Sequence, residues 1–435
     1  MEHLLPEFIN YWYQAGPLKF MRVFWYFLMF EFTRYIILDY IIAFLFWWKR
    51  DVRSQKWNTA RQALQIENPL ISIIVPGKNE GKHIYKLVKS LNEQTYQNLE
   101  LIVVDDGSDD NTPMIGRSLE KSGMITRFIR NDMRGGKASA ANTALQFCRG
   151  KYIVHLDADC SFDRDAIENS VIPFYLDDRI GAVGGNVKVR NYKDSLCARL
   201  QAVEYLKTIS IGRIVTSYLG IYKIVSGAFG AFKPDILKSI GGWDIGPGLD
   251  GDITVKIRKS GYKIHFEPSA VCLTNAPDKF KKLTKQRLRW DKSIIRFRVR
   301  KHNDVYTPHK GFNWLNFISL SENVFYNVIL DITFWIYTID MYANHFSLLR
   351  FIIPMNIVLY MTVSYVQMLS AYIFSERRKE ELQLWNVLPL MTLYTGLYLR
   401  IVRTIAYYKE FFLKESFNDP WNPEKSSRMA KRYGL

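Results

Sequence analysis

Cysteine and histidine are scarce in this chain of 435 residues, which has four Cys and seven His. Cys148, Cys160, Cys197 and Cys272 lack both the spacing of metal ligands and the paired spacing typical of disulfides. Their small number and spacing argue against a disulfide-stabilised secreted domain and against a zinc module. We interpret the four residues as small buried side chains in a reducing environment.

An internal repeat and a low-complexity tract are also absent from the sequence, and we expect no secretory leader. The start of the chain has no basic stretch followed by a short apolar core and a cleavage site, so we expect Met1 to begin the mature chain. Acidic residues are outnumbered, with 42 Asp and Glu against 59 Lys and Arg, which gives a net charge of +17. Such a charge suits nucleic acid or an anionic membrane surface. Basic residues flank the apolar stretches and no nucleic-acid motif is visible, so a bilayer is favoured and no nucleic-acid partner is expected.

Apolar residues are concentrated at the two ends of the chain. The first stretch runs from about Val23 to Trp48 and is long enough to span a bilayer, although it carries Glu31, Arg34 and Asp39. We interpret it as a membrane anchor whose ionisable residues pack against other helices. A buried helix of a soluble domain is the alternative.

Three more apolar stretches follow late, at about 314–341, 348–374 and 384–399, and the last is barely long enough to span. Glu322, Asp331 and Asp340 recur in the first of them, which fits a polar cavity and hydrogen bonds between helices equally well. Three late spans would place the basic tail from Arg400 to Arg432 outside, although its charge favours the cytoplasm. One of the stretches can therefore be interfacial.

The middle of the chain alternates short β-branched runs with helical patterns. ISIIVP precedes a helix near Ile84–Leu91, and LELIVVDD precedes a helix near Thr112–Lys121. Strand and helix in this alternation predict a parallel α/β sheet, with ligands at the carboxyl ends of the strands. We therefore divide the chain into an anchor and linker (1–67), an α/β domain (68–302), a membrane region (303–414) and a basic tail (415–435).

Several segments of this domain carry side chains suited to phosphate and cation chemistry. Asp157 and Asp159 end an apolar strand, where the second carboxylate can coordinate a hard divalent cation. The Gly-Gly pair before Lys137 opens a helix whose free N–H groups suit a phosphate or a nucleobase edge, with an ordinary exposed helix start as the alternative. SGAFG at 226–230 lets a ligand approach the backbone, and Asp250-Gly251-Asp252 follows a loop.

QRLRW at 286–290 combines an amide, a guanidinium and an aromatic ring on a predicted helix. Arginine binds diphosphates in a bidentate manner, and tryptophan provides a stacking surface for a sugar. The same segment also fits a basic amphipathic helix at the membrane surface.

In this order, VVDDGS, GGK, DAD, SGAFG, DGD and QRLRW make the chain similar to family 2 membrane glycosyltransferases, the processive group that includes cellulose, chitin, hyaluronan and poly-N-acetylglucosamine synthases. The similarity covers roughly 70–301. It implies a fold of the α/β class, namely a GT-A-type cytoplasmic glycosyltransferase domain with N- and C-terminal transmembrane and interfacial helices.

The resemblance also implies roles for individual residues. Asp250 would be the catalytic base, and Asp159 would bind the metal, Mg²⁺ or Mn²⁺. The nucleotide-sugar donor would be bound by Pro76, Glu80, Asp106, Lys137, Asp157, Gln286 and Arg289. The acceptor would be bound by Trp290, Gly227, Asn186, Glu204 and Tyr205.

Departures from the family pattern concern the donor base and the catalytic carboxylates. Lys78 stands where the family often has an aromatic residue, and Gly248-Leu249-Asp250 stands where it has Thr-Glu-Asp. No regulatory domain is visible after the last apolar stretch, so an activator would be a separate protein.

The expected function is that of a processive inverting enzyme of the inner (plasma) membrane, multi-pass, with its catalytic domain in the cytoplasm. It would polymerise an exopolysaccharide from a nucleotide sugar, with a UDP donor favoured over GDP. Its partners would be the growing polysaccharide, the lipid bilayer and periplasmic or membrane subunits for export. The alternatives are a nonprocessive enzyme acting on a lipid-linked acceptor and a catalytically silent scaffold.

Overall fold

A single mixed sheet of eight strands organises the middle of the protein, in a computed structural model that describes residues 4–244, 246, 248–375, 377–418 and 423–432. The strand order is β3-β2-β1-β4-β7-β6-β8-β5. The strands are β1 (Ile71–Gly77), β2 (Leu99–Asp105), β3 (Arg127–Arg130), β4 (Tyr152–Leu156), β5 (Ser161–Phe162), β6 (Ile180–Val189), β7 (Phe229–Phe232) and β8 (Lys263–Thr274).

Helices cover the sheet and form both ends of the chain. The α-helices are α1 (Leu4–Tyr26), α2 (Leu38–Trp48), α3 (Arg50–Glu67), α4 (Gly81–Asn92), α5 (Thr112–Lys121), α6 (Lys137–Phe147), α7 (Ala166–Val171), α8 (Leu196–Tyr205), α9 (Gly212–Tyr218), α10 (Pro234–Ser239), α11 (Leu249–Lys259), α12 (Phe280–Ser293), α13 (Trp314–Val324), α14 (Leu330–Asn344), α15 (Leu349–Phe374), α16 (Arg378–Glu381), α17 (Leu388–Leu393), α18 (Leu399–Leu413) and α19 (Glu424–Arg432). Wider π turns continue several of them, at Phe27–Ile37, Leu206–Ile211, Ile294–Lys301, Phe325–Ile329 and Tyr394–Tyr398. Short 3₁₀ turns lie at Ile172–Tyr175, Asn303–Tyr306, Phe346–Leu348, Leu382–Val387 and Glu415–Asn418.

The first half of the sheet is parallel, as the alternating pattern predicts. Strand β1 pairs in parallel with both β2 and β4, and β2 pairs in parallel with β3. All residues of β1 up to Pro76 are buried, because helices cover both faces of such a sheet. The predicted helices near Ile84–Leu91 and at Thr112–Lys121 are α4 and α5. The carboxyl ends of β1, β2 and β4 therefore bring their loops to one edge.

The number of spans that the sequence predicts is not reproduced. By length and composition, two helical segments of the described chain could cross a membrane, Trp314–Asn344 and Phe346–Phe374. The N-terminal stretch does not meet that criterion, and Arg34 in it bonds to Asp39 at 3.3 Å and to Glu322 of α13 at 3.1 Å. The predicted packing of its ionisable residues against other helices is thus present.

The fourth apolar stretch, 384–399, also fails the criterion for a span. A 3₁₀ turn, α17 and a π turn divide it. The Tyr394 hydroxyl donates to Glu204 Oε2 at 2.9 Å, and the Tyr398 hydroxyl donates to the Phe280 carbonyl at 3.1 Å. These contacts join the segment to α8 and α12, and by the same criterion the described residues give no third late span.

One hydrophobic core joins the sheet to the flanking helices. It contains strand residues such as Ile73 and Val154 together with Ile42 of α2, Met368 of α15 and Leu388 of α17. The domain boundaries at 68 and 302 stay predictions.

Candidate active site

Asp106 anchors the glycine loop at the edge of the sheet. Its two carboxylate oxygens accept the backbone N–H groups of Gly135 at 2.8 Å and Gly136 at 2.7 Å. Asp106 is 3% exposed. Its carboxylate thus holds the loop that precedes Lys137, and the contact with the donor that the resemblance implies stays a prediction.

Asn79 joins the loops that follow β1 and β2. Its backbone has a φ of +60°, in the left-handed region that Asn adopts more readily than most residues. Its N–H donates to Ser108 Oγ at 2.8 Å, and its Oδ1 accepts the Asp109 N–H at 3.0 Å. The predicted donor residue Pro76 lies buried in β1 just before this loop. Sequence reasoning did not single out Asn79, although an Asn after a Pro-Gly turn is a signal for it.

Lys137 begins α6 and forms an ion pair with Asp157 at the end of β4. Gly136 before it has a φ of +90°, which only glycine adopts without strain. Burial alone would lower the pKa of Lys137, but the Asp157 and Asp250 carboxylates outweigh burial and raise it. The ammonium is therefore kept charged between two carboxylates, where a diphosphate could also approach it.

Glu80 and Asp159 face the same pair, and both titrate abnormally. Burial, followed by the Asp159 and Asp157 carboxylates, raises the pKa of Glu80 to about 7. Burial, followed by Asp157, also raises the pKa of Asp159. Lys137 opposes both shifts without outweighing them, so a divalent cation would supply further positive charge here.

Asp250, in the first turn of α11, approaches the SGAFG segment closely. A Cβ atom added to Gly227 would lie 2.4 Å from Asp250 Oδ1, so only glycine fits there. The adjacent Ala228 carbonyl accepts the Asp157 N–H at 3.4 Å. Burial raises the pKa of Asp250, Lys137 opposes this and Asp157 adds to it. A raised pKa suits a carboxylate that must accept a proton.

The QRLRW segment lies in the middle of α12, which confirms the predicted helix. Trp290 is 36% exposed, and the guanidinium of Arg287 lies 4.7 Å from its ring centre. The Gln286 Oε1 atom is buried and has no hydrogen-bond partner within the described part of the chain. A buried unsatisfied amide oxygen is costly, which fits a site that a ligand completes.

Glu204, which the resemblance assigns to the acceptor, is bonded within the protein, and its contact with an acceptor stays a prediction. Both of its oxygens accept from Arg287, each at 2.8 Å, and Oε2 also accepts the Tyr394 hydroxyl. Its carboxylate therefore anchors the helix that carries Trp290. Arg287 is a functional candidate that the sequence analysis missed, and no local signal links it to a residue 83 positions away.

Asn186 and Tyr205 are also buried, at 4% and 6% exposure. Asn186 Nδ2 donates to the Pro268 carbonyl at 3.1 Å, and its Oδ1 accepts Ser210 Oγ at 2.8 Å. Both residues thus lie inside the protein, and a direct acceptor contact by either stays a prediction.

Two groups of predicted site residues result. Electrostatic and steric contacts bring the first group together at the sheet edge: Glu80, Asp106, Lys137, Asp157, Asp159, Gly227 and Asp250. Gln286, Arg289 and Trp290 lie on α12, which reaches the loop before Asp250 through Ser293 and Gly248. Among the described residues, no three His, Cys, Asp or Glu side chains are grouped so that they could hold a metal ion.

Comparison with known proteins identifies the sequence relatives of this site. The family model for glycosyl transferase family 2 matches residues 72–241. Poly-beta-1,6-N-acetyl-D-glucosamine synthase of Staphylococcus epidermidis is 33% identical over 222 residues, which are 51% of this chain and 53% of that protein. The synthase of Staphylococcus aureus is 32% identical over 223 residues, with the same shares. The chain thus spans about half the length of the curated relatives it matches.

A solved structure resembles the fold as a whole. It is a mannosyltransferase from Pyrobaculum calidifontis in complex with GDP-Man and Mn²⁺, with a TM-score of 0.55 and 20% identity. The match covers 87% of this chain and 100% of that one. This likeness confirms the predicted mixed α/β, GT-A-like fold.

Proposed function

We propose, from the match of residues 72–241 to the model for glycosyl transferase family 2, that the chain is a processive inverting glycosyltransferase. It polymerises an exopolysaccharide from a nucleotide sugar at the cytoplasmic face of the plasma membrane. The observation that carries this proposal is the meeting of Asp250, Lys137 and Asp157 beside Gly227 at the carboxyl edge of the sheet.

These residues supply the parts of an inverting transfer. The acceptor hydroxyl oxygen attacks the anomeric carbon, the bond from that carbon to the diphosphate oxygen breaks, and the proton passes to Asp250. Lys137 faces both Asp157 and the space beside Asp250, where it can stabilise the departing nucleoside diphosphate. Gln286 and Arg289 hold the diphosphate, and Trp290 stacks on the acceptor sugar.

The carboxylates also fit a divalent cation that the donor helps to bind. Asp159 and Glu80 have raised pKa values, in part because of neighbouring carboxylates. Mg²⁺ and Mn²⁺ are commonly held by one or two carboxylates and by substrate phosphates, so a three-residue cluster is not required. Bound there, the cation would neutralise charge on the diphosphate. The Mn²⁺ in the mannosyltransferase complex supports this assignment.

The pH dependence of metal binding follows from Glu80. Its pKa is raised to about 7, so the side chain is largely protonated below that pH and ionised above it. Metal and proton compete, so the apparent affinity for Mn²⁺ should rise up to about tenfold per pH unit below pH 7 and level off above it. The measurement is Mn²⁺ binding in the presence of nucleoside diphosphate, from pH 5.5 to 8.5.

Glu80→Gln should flatten this pH profile near pH 7. Glu93→Gln, an exposed position at the end of α4, is the matched control and should leave the profile unchanged. If the affinity of the wild type for Mn²⁺ did not rise between pH 6 and 7, the proposal that Glu80 helps to bind the cation would be contradicted.

The nature of the donor is proposed from the relatives. The two staphylococcal relatives are named for an N-acetylglucosamine polymer, which supports UDP-N-acetylglucosamine as the first donor to test. The structural neighbour binds GDP-Man, so GDP-sugars are the comparison set. Passage of the polymer through the bilayer is part of the proposal, because Trp314–Asn344 and Phe346–Phe374 could both cross a membrane.

The test is synthesis by purified protein in sealed liposomes, with donor and Mg²⁺ or Mn²⁺ added outside. We expect nucleoside diphosphate release, with a high-molecular-weight product that is protected from an added glycosidase until detergent is present. Exposed polymer would contradict transport. A product extended by a single sugar would favour the nonprocessive alternative, and the absence of both release and nucleotide binding would favour a silent scaffold.

A further inference from the structure

We propose that the C-terminal segment Glu410–Phe417, here called the C-terminal latch, positions the loop and helix that carry Asp250. It does so through the helical segment that follows QRLRW, which lies between the latch and that loop. The inference rests on the proposed transferase function, because it assigns Asp250 as the base.

The latch grips three basic residues spaced four apart on one helical face. Lys292 pairs with Glu415, and Arg300 pairs with Glu410. The guanidinium of Arg296, between them, lies 4.4 Å from the Phe417 ring centre and donates to the Ser416 carbonyl at 3.4 Å. The spacing of four places all three basic residues on one side of the segment.

The latch is itself internally ordered. Glu410 is 0% exposed, and its carboxylate accepts the Ser416 N–H and the Ser416 hydroxyl, both at 2.8 Å. Lys409 adds a bond to Glu415 at 3.2 Å. A buried carboxylate needs these partners, because an unpaired one would be strongly destabilising. The segment is therefore fixed to the helix and does not merely rest against it.

The same helical segment also contacts the glycines that precede Asp250, and Arg296 takes part in both sets of contacts. A Cβ atom at Gly246 would lie 2.7 Å from the Arg296 guanidinium carbon, and one at Gly248 would lie 2.3 Å from Ser293 Cβ. Both glycines have positive φ, +140° and +80°. Positive φ favours glycine at both positions, and Gly246 and Gly248 thereby approach the same helical segment that the latch contacts.

Two residues beyond Asp250, a second contact joins the same partners. Asp252 is 0% exposed; it accepts from Lys301 at 2.9 Å and contacts His302 at 2.8 Å. Lys301 also donates to Asp244 at 2.6 Å. Asp250 is thus held between contacts at 248 and 252, and both contacts come from residues 293–302. Without the latch, residues 293–302 would hold Asp250 less firmly. The hydrogen bonds of Asp106 and the ion pair of Lys137 would remain, because neither involves the latch.

The test is a charge reversal with rescue. Glu415→Lys should lower kcat about tenfold, because a displacement of about 1 Å at a reacting group can cost as much as 10²-fold. The KM for the donor should change less than twofold. The double variant Lys292→Glu with Glu415→Lys restores opposite charges between positions 292 and 415 but not the bond to Lys409, and should recover part of kcat. Glu424→Lys, a largely exposed position paired with Arg428 one turn away, is the control and should resemble wild type.

Hydrogen–deuterium exchange of the peptide covering residues 248–256 measures how firmly the Asp250 segment is held, and it does not depend on sugar transfer. Glu415→Lys should raise its exchange in nucleotide-free protein, and the double variant should reverse the rise. Unchanged exchange, or a double variant no better than the single one, would overturn the proposal. A raised and rescued exchange in a protein whose wild type transfers no sugar would support the latch and refute the proposed function.

Discussion

Asp250→Asn should abolish sugar transfer while leaving nucleotide binding within a few-fold of wild type. General-base catalysis contributes about 10²–10⁴-fold, and an amide cannot accept the acceptor's proton. Asp250 contacts Gly227 and lies near Lys137, whereas Asp106 and the glycine loop are held by hydrogen bonds of their own. The measurement pairs nucleoside diphosphate release with nucleotide binding by calorimetry.

Asp235→Asn is the matched control for this experiment. Asp235 is an exposed acidic residue in the first turn of α10, so this change removes the same charge outside the site. It should keep wild-type transfer. Equal losses of transfer and of nucleotide binding in Asp250→Asn would instead assign Asp250 to the donor site.

Asp159→Asn should lower transfer on the order of 10³-fold and remove most of its dependence on the divalent cation. The cation is expected to stabilise the charge of the transition state by several kcal/mol. Each 1.36 kcal/mol changes the rate about tenfold, which gives the expected loss of activity. Asp159 is the end-of-strand carboxylate whose pKa is raised by burial and by Asp157, which is the environment that a cation would relieve. Activity is measured against Mn²⁺ concentration up to saturation.

The control here is Asp165→Asn, six residues further on and exposed at the start of α7. It should retain the wild-type metal titration. A variant Asp159→Asn that regains full activity at high Mn²⁺ would show weaker metal binding only. One that keeps full activity without metal would contradict the assignment.

The sequence was sufficient for the parallel half of the sheet because its signals are local. Helix α5 has the bounds that its pattern predicts, and the residues after β1, β2 and β4 meet at one edge because parallel strands place them there. The small residues of SGAFG predict a close approach to the backbone at Gly227, but they do not predict that Asp250 is the residue that approaches it.

The contacts that the sequence did not reveal join distant segments. Glu204 and Arg287 are 83 positions apart, and Tyr394 meets Glu204 across 190. Separations of this length are unrelated to the periodicity of a helix or a strand, so a single sequence does not predict these contacts. The contacts of the stretch 384–399 are of the same kind: Tyr394 bonds to Glu204 and Tyr398 to the Phe280 carbonyl, and its apolar composition alone predicts neither bond.

The shared core has a practical meaning for work on the isolated catalytic domain. Ile42, Met368 and Leu388 pack in the same cluster as strand residues, although all three lie outside 68–302. A fragment cut at those boundaries would expose apolar surface that folding normally removes from water, at about 25 cal/mol per Å². Such a fragment would behave as an aggregation-prone piece and not as a soluble enzyme. Work on the catalytic site therefore requires the intact chain.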